Sequence, residues 1–216
     1  MHTSEEQQPA WKARAVERSL RTATQRAGDR VQKFLDAAQA IITEKGSTDF
    51  TVQEVVDRSR QSLRSFYLQF DGKHELLLAL YEDAVGRTAA QIRAATGTAD
   101  DPVAKLRTAV ELLFQLCRPD PEARRPLFTE FAPQLIGSHP NAVRSAHTAL
   151  FTLFADLLVE AQEAGALVPD GNPRRLAALT MQTVMFIAQP SDTDGDPDPI
   201  TADEVWRFCA HGIAAR

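Results

Sequence analysis

The polar side chains whose chemistry stands out lie close together in one short stretch of the chain. Arg58, Arg60 and Arg64 carry guanidinium groups, and each fork of N–H donors matches phosphate oxygens or the O6 and N7 atoms of guanine. Tyr67 and Lys73 add a phenol and an ammonium group nearby. These residue types predict hydrogen bonding to an anionic partner. The alternative is a solvated surface cluster with no role.

Residues typical of catalysis or metal binding are not arranged for either task. The five histidines show no H-E-x-x-H or other ligand spacing, and there is no glycine-rich phosphate loop or nucleophile elbow. Cys117 and Cys209 stand far apart, so we expect two reduced core thiols. Four aspartates within residues 191–199 resemble a calcium loop, but Pro197 stands where glycine is needed. The sequence therefore predicts no enzyme and no bound metal or cofactor.

Composition indicates a globular protein that folds without a disulfide or a structural metal. The chain has 216 residues, of which 44% are hydrophobic and 25% are charged. No apolar run approaches the roughly 18 residues that span a bilayer. The charged N-terminus lacks the apolar core of a signal peptide. We therefore expect a cytoplasmic protein with no membrane partner.

Charge is divided unevenly along the chain. The whole sequence carries a net charge of −5, which taken alone argues mildly against a nucleic-acid partner. Residues 1–74 nevertheless hold 12 Lys and Arg against 10 Asp and Glu, whereas residues 75–216 hold 12 against 19. The acidic excess belongs to the C-terminal part, so the total does not exclude an anionic partner for the N-terminal part.

Hydrophobic residues recur at helical spacing through the whole chain, and no alternating strand pattern is present. We predict an all-α fold of about nine helices. The first ends at Lys45-Gly46, and a capping box at Thr51 opens the second. Ser62 is the predicted N-cap of a short third helix, and a long fourth helix follows over residues 73–95.

The remainder of the chain is also predicted to be helical. Residues 121–136 form a helix or a pair broken by prolines, and about 139–164 form one long helix. Asn172-Pro173 is a strong start signal, with an N-cap followed by proline at the first helical position. A second capping box at Thr201 opens the last helix.

Two short helices joined by a tight turn have the shape of a helix-turn-helix. The run TVQEVVDRSRQSLRSFYLQFDGKHELL, residues 51–77, resembles the signature of TetR-type transcriptional repressors. Both have an opening threonine, a serine before the recognition helix, the pattern Phe-Tyr-x-x-Phe, and a lysine before a Leu-Leu pair. The resemblance covers about 50 residues, and the rest of the chain is similar only in being helical.

The resemblance implies that the partner is a double-stranded DNA operator. Thr51 and Tyr67 would bind phosphates, and Lys73 would add a charged contact at the start of helix four. Arg64 is the side chain best able to read a guanine, and neighbouring residues reach base edges. The residues predicted to contact DNA are Thr51, Gln53, Arg60, Gln61, Ser62, Leu63, Arg64, Ser65, Tyr67 and Lys73.

The turn departs from the pattern of the family. Most members have Gly-Val where this chain has Arg60-Gln61. Glycine suits a left-handed turn conformation, which costs a residue with a side chain roughly 1 kcal/mol. The change also removes a small apolar anchor and brings new polar groups toward phosphate or bases. Phe66 and Phe70 fit better as core anchors that hold the recognition helix onto helix one.

Residues 1–28 are predicted to be a basic N-terminal arm that precedes a first helix beginning near Val31. Over residues 12–33 there are seven positive charges against two negative ones. Arg14, Arg18 and Arg21 would share one stripe of any helix that forms. The arm either contacts phosphates beside the operator or is a disordered, solvated extension.

The C-terminal part carries apolar and aromatic residues at helical spacing, which are either core or the lining of a ligand pocket. The resemblance implies a DNA-binding domain over residues 29–76 and a ligand-binding and dimerisation domain over 77–216. A small apolar or amphipathic effector is expected, with Arg124, Arg125 and His147 available for an acidic group. The candidate pocket residues are Leu113, Phe114, Cys117, Phe128, Phe131, Phe151, Phe154 and Met181.

The last two helices are implied to pair with a second copy in a four-helix bundle, which would make a homodimer for a pseudo-palindromic site. A helical interaction or ligand-carrier protein that keeps the fold without binding an operator is the alternative. The apolar faces predicted for pairing comprise Leu176, Leu179, Thr180, Val184, Ile187, Val205, Trp206, Cys209 and Ile213.

Overall fold

The computed structural model describes residues 10–118, 131–132, 134–135, 139–167, 171–188 and 199–213. Over these residues the chain forms nine helices and no β-strand, which confirms the all-α prediction. In chain order the helices are α1 (Ala10–Lys45), α2 (Val52–Ser59), α3 (Leu63–Tyr67), α4 (Lys73–Thr96), α5 (Pro102–Cys117), α6 (Pro140–Ala146), α7 (Thr148–Glu163), α8 (Pro173–Ile187) and α9 (Ala202–Ile213).

The chain divides into two compact units. Unit 1 comprises the chain up to Ile41 together with Phe50–Leu76, and unit 2 comprises Ile42–Asp49 together with residues from Leu77 onward. Unit 1 therefore contains most of α1, all of α2 and α3, and the first turn of α4. Unit 2 contains the remainder of α4 and all the later helices.

Unit 1 is held together by a cluster of aromatic rings. Phe34 on α1 packs edge-on against Phe66 on α3, with ring centroids 5.4 Å apart, and against Phe70, at 6.1 Å. All three side chains are buried, and Val55 and Val56 of α2 complete the core beside them. The prediction that Phe66 and Phe70 anchor the recognition helix to helix one is confirmed.

The helix ends follow the predicted capping chemistry. Thr51 and Glu54 form the complete capping box of α2, and the hydroxyl of Ser62 accepts the backbone N–H of Ser65 at 3.0 Å. Gly46 takes a left-handed φ of 62° just after α1 and donates its N–H to the carbonyl of Ile42. These local signals were readable because each satisfies a backbone group that the helix itself leaves unpaired.

Helix α1 begins at Ala10, far before the start near Val31 that the hydrophobic pattern predicts. We call residues 10–30 of this helix the N-terminal extension. Its composition, rich in alanine and arginine and free of proline, favours helix. Trp11 and Leu20 are 65% and 62% exposed, so the extension buries no large side chain of its own there. The hydrophobic pattern missed this part of the helix because it detects a helix only by the face that the helix buries.

In unit 2, α5 packs against α7, α8 and α9. The core is mainly aliphatic, with Leu113, Leu150 and Leu158 almost completely buried beside Phe154. Arg107 on α5 reaches Asp203 on α9, with the guanidinium nitrogen 2.9 Å from the carboxylate oxygen. The start signals predicted for α8 and α9 are confirmed: Asn172 caps α8, and Thr201 and Glu204 form a capping box.

The single long helix predicted over about 139–164 is wrong. Two helices, α6 and α7, meet instead at His147 with a bend of 56°. No glycine or proline marks the break. It coincides with a long-range hydrogen bond between the hydroxyl of Tyr81 and the His147 ring, a contact that periodicity cannot reveal. The helix predicted over 121–136 and the acidic loop over 191–199 lie largely outside the described residues.

Among the described helices, no single one is long and apolar enough to cross a membrane. Only α6 and α7 taken together, across their bend, meet the length and composition for a span.

Candidate nucleic-acid interface

Helix α3 presents a polar outer face over a buried aromatic anchor. Phe66 is fully buried, whereas Leu63 and Tyr67 are 43% and 56% exposed and Arg64 is also exposed. The Tyr67 ring packs edge-on against Phe66, with centroids 5.4 Å apart, so its phenol projects from a supported position. The buried ring fixes the helix, and the exposed side chains remain available to a partner.

The hydroxyls of Ser62 and Ser65, both in the predicted DNA-binding set, are placed differently from the exposed side chains of this helix. The hydroxyl of Ser62 is used as the N-cap. The hydroxyl oxygen of Ser65 is buried, and it has no hydrogen-bond partner among the described residues. Neither hydroxyl is presented like the side chains of Leu63 and Arg64.

The first turn of α2 offers less to a phosphate than the sequence suggested. The backbone N–H of Thr51 donates to Glu54 Oε2 at 2.7 Å, and its hydroxyl donates to the same oxygen at 3.0 Å. Both predicted phosphate donors of Thr51 are therefore engaged by Glu54. Gln53 is exposed and donates its side-chain N–H to Asp57 at 2.7 Å, which leaves its amide oxygen facing outward as an acceptor.

The turn between α2 and α3 adopts the left-handed conformation. Arg60 has φ 55° and ψ 34°, and its N–H donates to Asp57 and Val56 carbonyls. Within the described residues it is the only non-glycine residue with a positive φ. The chain thus keeps the turn geometry for which glycine is better suited, and Arg60 pays the conformational cost.

Lys73 opens α4 and is half-buried. Its ammonium nitrogen lies 4.8 Å from the ring centroid of Phe50, a cation–π contact within unit 1. This contact holds the charge at the start of the helix. Arg60 and Gln61 line a separate cleft that none of the other predicted DNA-binding residues lines.

Most of the predicted pocket residues in unit 2 are buried. Leu113, Phe114, Phe131, Phe154 and Met181 are buried. Cys117 and Phe151 are half-buried, and the guanidinium of Arg174 lies 5.3 Å from the Phe151 ring centroid. Phe128, Arg124 and Arg125 lie outside the described residues. The burial of the five side chains named first is what either a core or the lining of a closed pocket requires.

Sequence reasoning missed a hydrogen bond in unit 2 between a buried tyrosine and a half-buried histidine. Tyr81 on α4 is 2% exposed, and its hydroxyl oxygen lies 2.6 Å from Nε2 of His147. Burial raises the pKa of Tyr81, with a further contribution from Cys117, and burial lowers the pKa of His147. We therefore assign the O–H of Tyr81 as donor to a neutral imidazole. Only the isolated His147 was visible in the sequence, because its partner lies 66 residues away.

The apolar face available on α8 and α9 differs from the predicted one. Thr180, Val184, Val205 and Cys209 are buried within their own protomer and cannot face a second copy. The exposed apolar side chains there are Leu179 at 64%, Phe186 at 78% and Phe208 at 67%. Leu176, Ile187 and Trp206 are half-buried, and the side chain of Ile213 lies outside the described residues.

In the described part of the chain, no group of three or more His, Cys, Asp and Glu residues is arranged to hold a metal ion.

Comparison with known proteins identifies the N-terminal part of the chain. Residues 34–80 match the family model described as bacterial regulatory proteins, tetR family. The matched stretch contains the aromatic cluster, α2, the turn at Arg60, α3 and the beginning of α4. No protein of curated function matches the chain.

Solved structures extend the likeness to the rest of the fold. The fatty acid degradation regulator FadR from Bacillus halodurans is 20% identical, with 85% of this chain and 95% of that chain covered and a TM-score of 0.65. FadR from Bacillus subtilis in complex with stearoyl-CoA is 16% identical, covering 84% and 98%, with a TM-score of 0.63. RolR in complex with resorcinol is 14% identical, covering 89% and 91%, with a TM-score of 0.67.

Proposed function

We propose that this chain is a TetR-family transcriptional regulator, a repressor that binds a pseudo-palindromic operator as a homodimer and is released by a small effector; the family model over residues 34–80 and the shared fold support this. The observation that carries this is α3, whose exposed Leu63, Arg64 and Tyr67 stand on a fully buried Phe66. A helix held rigidly with polar side chains outward is what reading a major groove requires. We assign DNA binding to residues 29–76.

Arg64 and Leu63 are the residues proposed to contact the bases. A guanidinium paired with O6 and N7 of guanine discriminates by about 1–3 kcal/mol, and a leucine can contact a thymine methyl group. Tyr67, Lys73 and Gln53 would bind the backbone or adjacent base edges. Thr51 contributes mainly by shaping the start of α2, because Glu54 occupies its donors.

The N-terminal extension adds a sequence-independent contribution. It is helical from Ala10 and exposed, and residues 12–33 carry seven positive charges against two negative ones. Arg18 and Arg30 each donate to a backbone carbonyl four residues earlier, and Arg21 pairs with Glu17 in the exposed part of the helix. Their charges remain in solvent, where a phosphate backbone can approach and release counterions.

We assign dimerisation to α8 and α9 within residues 77–216. Phe186 and Phe208 are 78% and 67% exposed, and Leu179 adds a third large apolar side chain. Large exposed aromatic groups on neighbouring helices are typical of a protein–protein contact. A two-fold axis through this contact would present two copies of α3 to the two half-sites.

The effector is proposed to bind inside unit 2 and to act through α4. The relatives crystallised with stearoyl-CoA and with resorcinol share this fold, and both ligands include an apolar part. Helix α4 carries Lys73 in unit 1 and Tyr81 in unit 2. A ligand that shifts α4 would therefore alter the first turn of the same helix, which is a coupling of two sites through a shared element.

Binding to the DNA that flanks its own gene tests the repressor function. We expect salt-dependent binding in a fluorescence anisotropy titration. Arg64→Ala should weaken it by about 5- to 150-fold at a matched site, and Tyr67→Phe should weaken it more uniformly across sequences. The exposed Arg93 of α4 in unit 2 supplies the control variant, Arg93→Gln, which should bind as the wild type does.

Binding that is absent, or unchanged in both Arg64→Ala and Tyr67→Phe, would overturn the repressor function in favour of a carrier protein. The main support for a carrier protein is the departure of Arg60-Gln61 from the turn of the family, and Arg60 adopts the left-handed conformation of that turn despite its side chain. Mass spectrometry of small molecules released from the purified protein, followed by adding each one back to the DNA complex, identifies the effector. A repressor that binds an operator would act in the cytoplasm, where bacterial DNA lies.

A further inference from the structure

A cleft of about 470 Å³ lies in unit 1 between α1 and the end of α2 with its turn. Volumes of this size are typical of small-ligand sites. The residues that line it include Ala37 and Ala40 from α1 and Ser59 and Gln61 from the other wall. The charged members of the lining are Lys33, Asp36, Arg58 and Arg60.

The cleft is electrostatically suited to an anion. Three cationic side chains and one carboxylate give it a net charge of +2. Asp36 also accepts a hydrogen bond from the side-chain N–H of Gln32 at 2.8 Å, which reduces its repulsion of an incoming anion. A phosphate diester carries one negative charge and a phosphate monoester between about 1.5 and 2. Either charge is matched by the surplus in the cleft.

The turn between α2 and α3 contributes part of one wall of the cleft. Its second residue, Gln61, is polar, and its side-chain N–H donates to the Arg60 carbonyl at 3.3 Å. The small side chains of Ala37 and Ala40 face this turn without filling the space. The polar side chain of Gln61 and the guanidinium group of Arg60 thus both lie at the wall that the turn contributes.

Guanidinium groups are the donors best matched to phosphate. Arg58 and Arg60 lie on the same wall, and Lys33 supplies a point charge from α1. Two guanidinium groups and one ammonium group around a single cleft are typical of phosphate-binding sites. The left-handed backbone at Arg60, with φ 55°, keeps this side chain at the rim at a cost that a glycine would not incur.

We propose that this cleft is a phosphate-binding site, separate from the base-reading face of α3. The phosphate belongs either to the DNA backbone or to a free phosphorylated small molecule. The inference rests on the proposed function only in the first case. In that case the cleft adds a sequence-independent contact to operator binding, and in the second it is a second regulatory site on the DNA-binding unit.

Two titrations in phosphate-free buffer distinguish the sources. The first measures the salt dependence of binding to a duplex of arbitrary sequence by fluorescence anisotropy. The second measures binding of inorganic pyrophosphate by calorimetry in the absence of DNA. Both use the full chain, Arg60→Gly, Arg58→Gln and the control Arg93→Gln. Arg60→Gly is informative because glycine suits the observed φ, so the fold should be retained.

A backbone site predicts that Arg60→Gly lowers the log–log salt slope by about one while pyrophosphate does not bind. A small-molecule site predicts pyrophosphate binding that Arg60→Gly weakens at least tenfold, with the slope unchanged. Wild-type slope and wild-type pyrophosphate binding in both Arg60→Gly and Arg58→Gln would overturn the inference. If the wild type binds no DNA, the proposed function fails, and pyrophosphate calorimetry alone then decides for or against the cleft.

Discussion

The two units place their polar and aromatic groups in opposite ways. Unit 1 buries a cluster of phenylalanine rings around Phe66 and exposes its arginines. Unit 2 exposes the rings of Phe186 and Phe208, and it buries Tyr81, whose hydroxyl is hydrogen-bonded to the half-buried His147. Each arrangement suits a different partner. Exposed cations suit a phosphate backbone, and exposed rings suit a second protein surface.

The contrast also explains where stability and function can be separated. In unit 1 the rings that hold the fold are not the side chains proposed to touch the partner. In unit 2 the effector is proposed to act through α4, and Tyr81 of this helix is itself nearly fully buried. Mutations should therefore separate folding from binding in unit 1 more cleanly than in unit 2.

The largest expected effect is the collapse of unit 1 on removal of its central ring. Phe66→Ala deletes a fully buried side chain that contacts Phe34 and Phe70, which costs about 3–5 kcal/mol. We expect loss of DNA binding and an early transition in thermal unfolding followed by circular dichroism. Leu63→Ala, on the exposed face of the same helix, is the matched control and should leave the melting profile unchanged. An equal loss of thermal stability in the two variants would contradict the division between the buried anchor and the exposed reading face.

The next effect concerns the exposed rings of unit 2. Phe186→Asp and Phe208→Asp put a charge into the proposed dimer contact, and we expect the dimer dissociation constant to rise about 100-fold, or roughly 2.7 kcal/mol. Sedimentation equilibrium measures the change. The melting temperature of the monomer should not fall, since both rings are largely exposed. A dimer of unaltered affinity in both variants would place the two-fold contact elsewhere.

Removing the hydroxyl of Tyr81 should cost about 1–3 kcal/mol, because it leaves the ring nitrogen of His147 without its partner. Urea unfolding of Tyr81→Phe measures this loss. The double variant Tyr81→Phe with His147→Leu should recover part of it, because neither polar group is then buried alone. Additive losses in the double variant would show that the two side chains are not coupled.

His147 should also make the stability of unit 2 depend on pH. Its pKa is lowered by burial, so the unfolded chain takes up a proton near pH 6.5 while the folded chain does not. The stabilising effect is complete above pH 6.5 and is lost as the pH falls from 6.5 toward the lower folded pKa, by at most about 1.4 kcal/mol per pH unit. Urea midpoints at pH 7.5 and 5.5 should converge more in His147→Gln than in the wild type. An identical difference in both proteins would exclude His147 as the source.

The smallest expected effect concerns the turn between α2 and α3. Arg60→Gly should stabilise unit 1 by about 0.5–1 kcal/mol, because glycine adopts φ 55° without steric cost. Chemical denaturation measures the gain, and Arg58→Gln, in the α-helical part next to the turn, should show none. A loss of stability in Arg60→Gly would mean that the arginine side chain contributes more contacts than its backbone costs.

Much of unit 1 could be predicted because its helix caps and aromatic anchors depend on residues close together in the sequence. The capping boxes, the N-cap serine and the phenylalanine anchors depend on residues a few positions apart, so their spacing carries the information. The helical N-terminal extension was missed because its exposed face gives no hydrophobic period. The bend at His147 and its bond to Tyr81 were missed because they depend on tertiary contact between distant segments. The roles of Ser65 and Thr51 needed the geometry, since their hydroxyls are buried or already bonded.

The length of the N-terminal extension sets a requirement on the DNA used in any assay. At 1.5 Å per residue, the part of α1 before Val31 reaches roughly 30 Å, about the length of nine base pairs of duplex. A synthetic operator trimmed to its two half-sites would lack the phosphates that such a helix can reach. Affinity measured on that probe would understate binding, and lengthening the flanks in steps of one helical turn would show where the footprint ends.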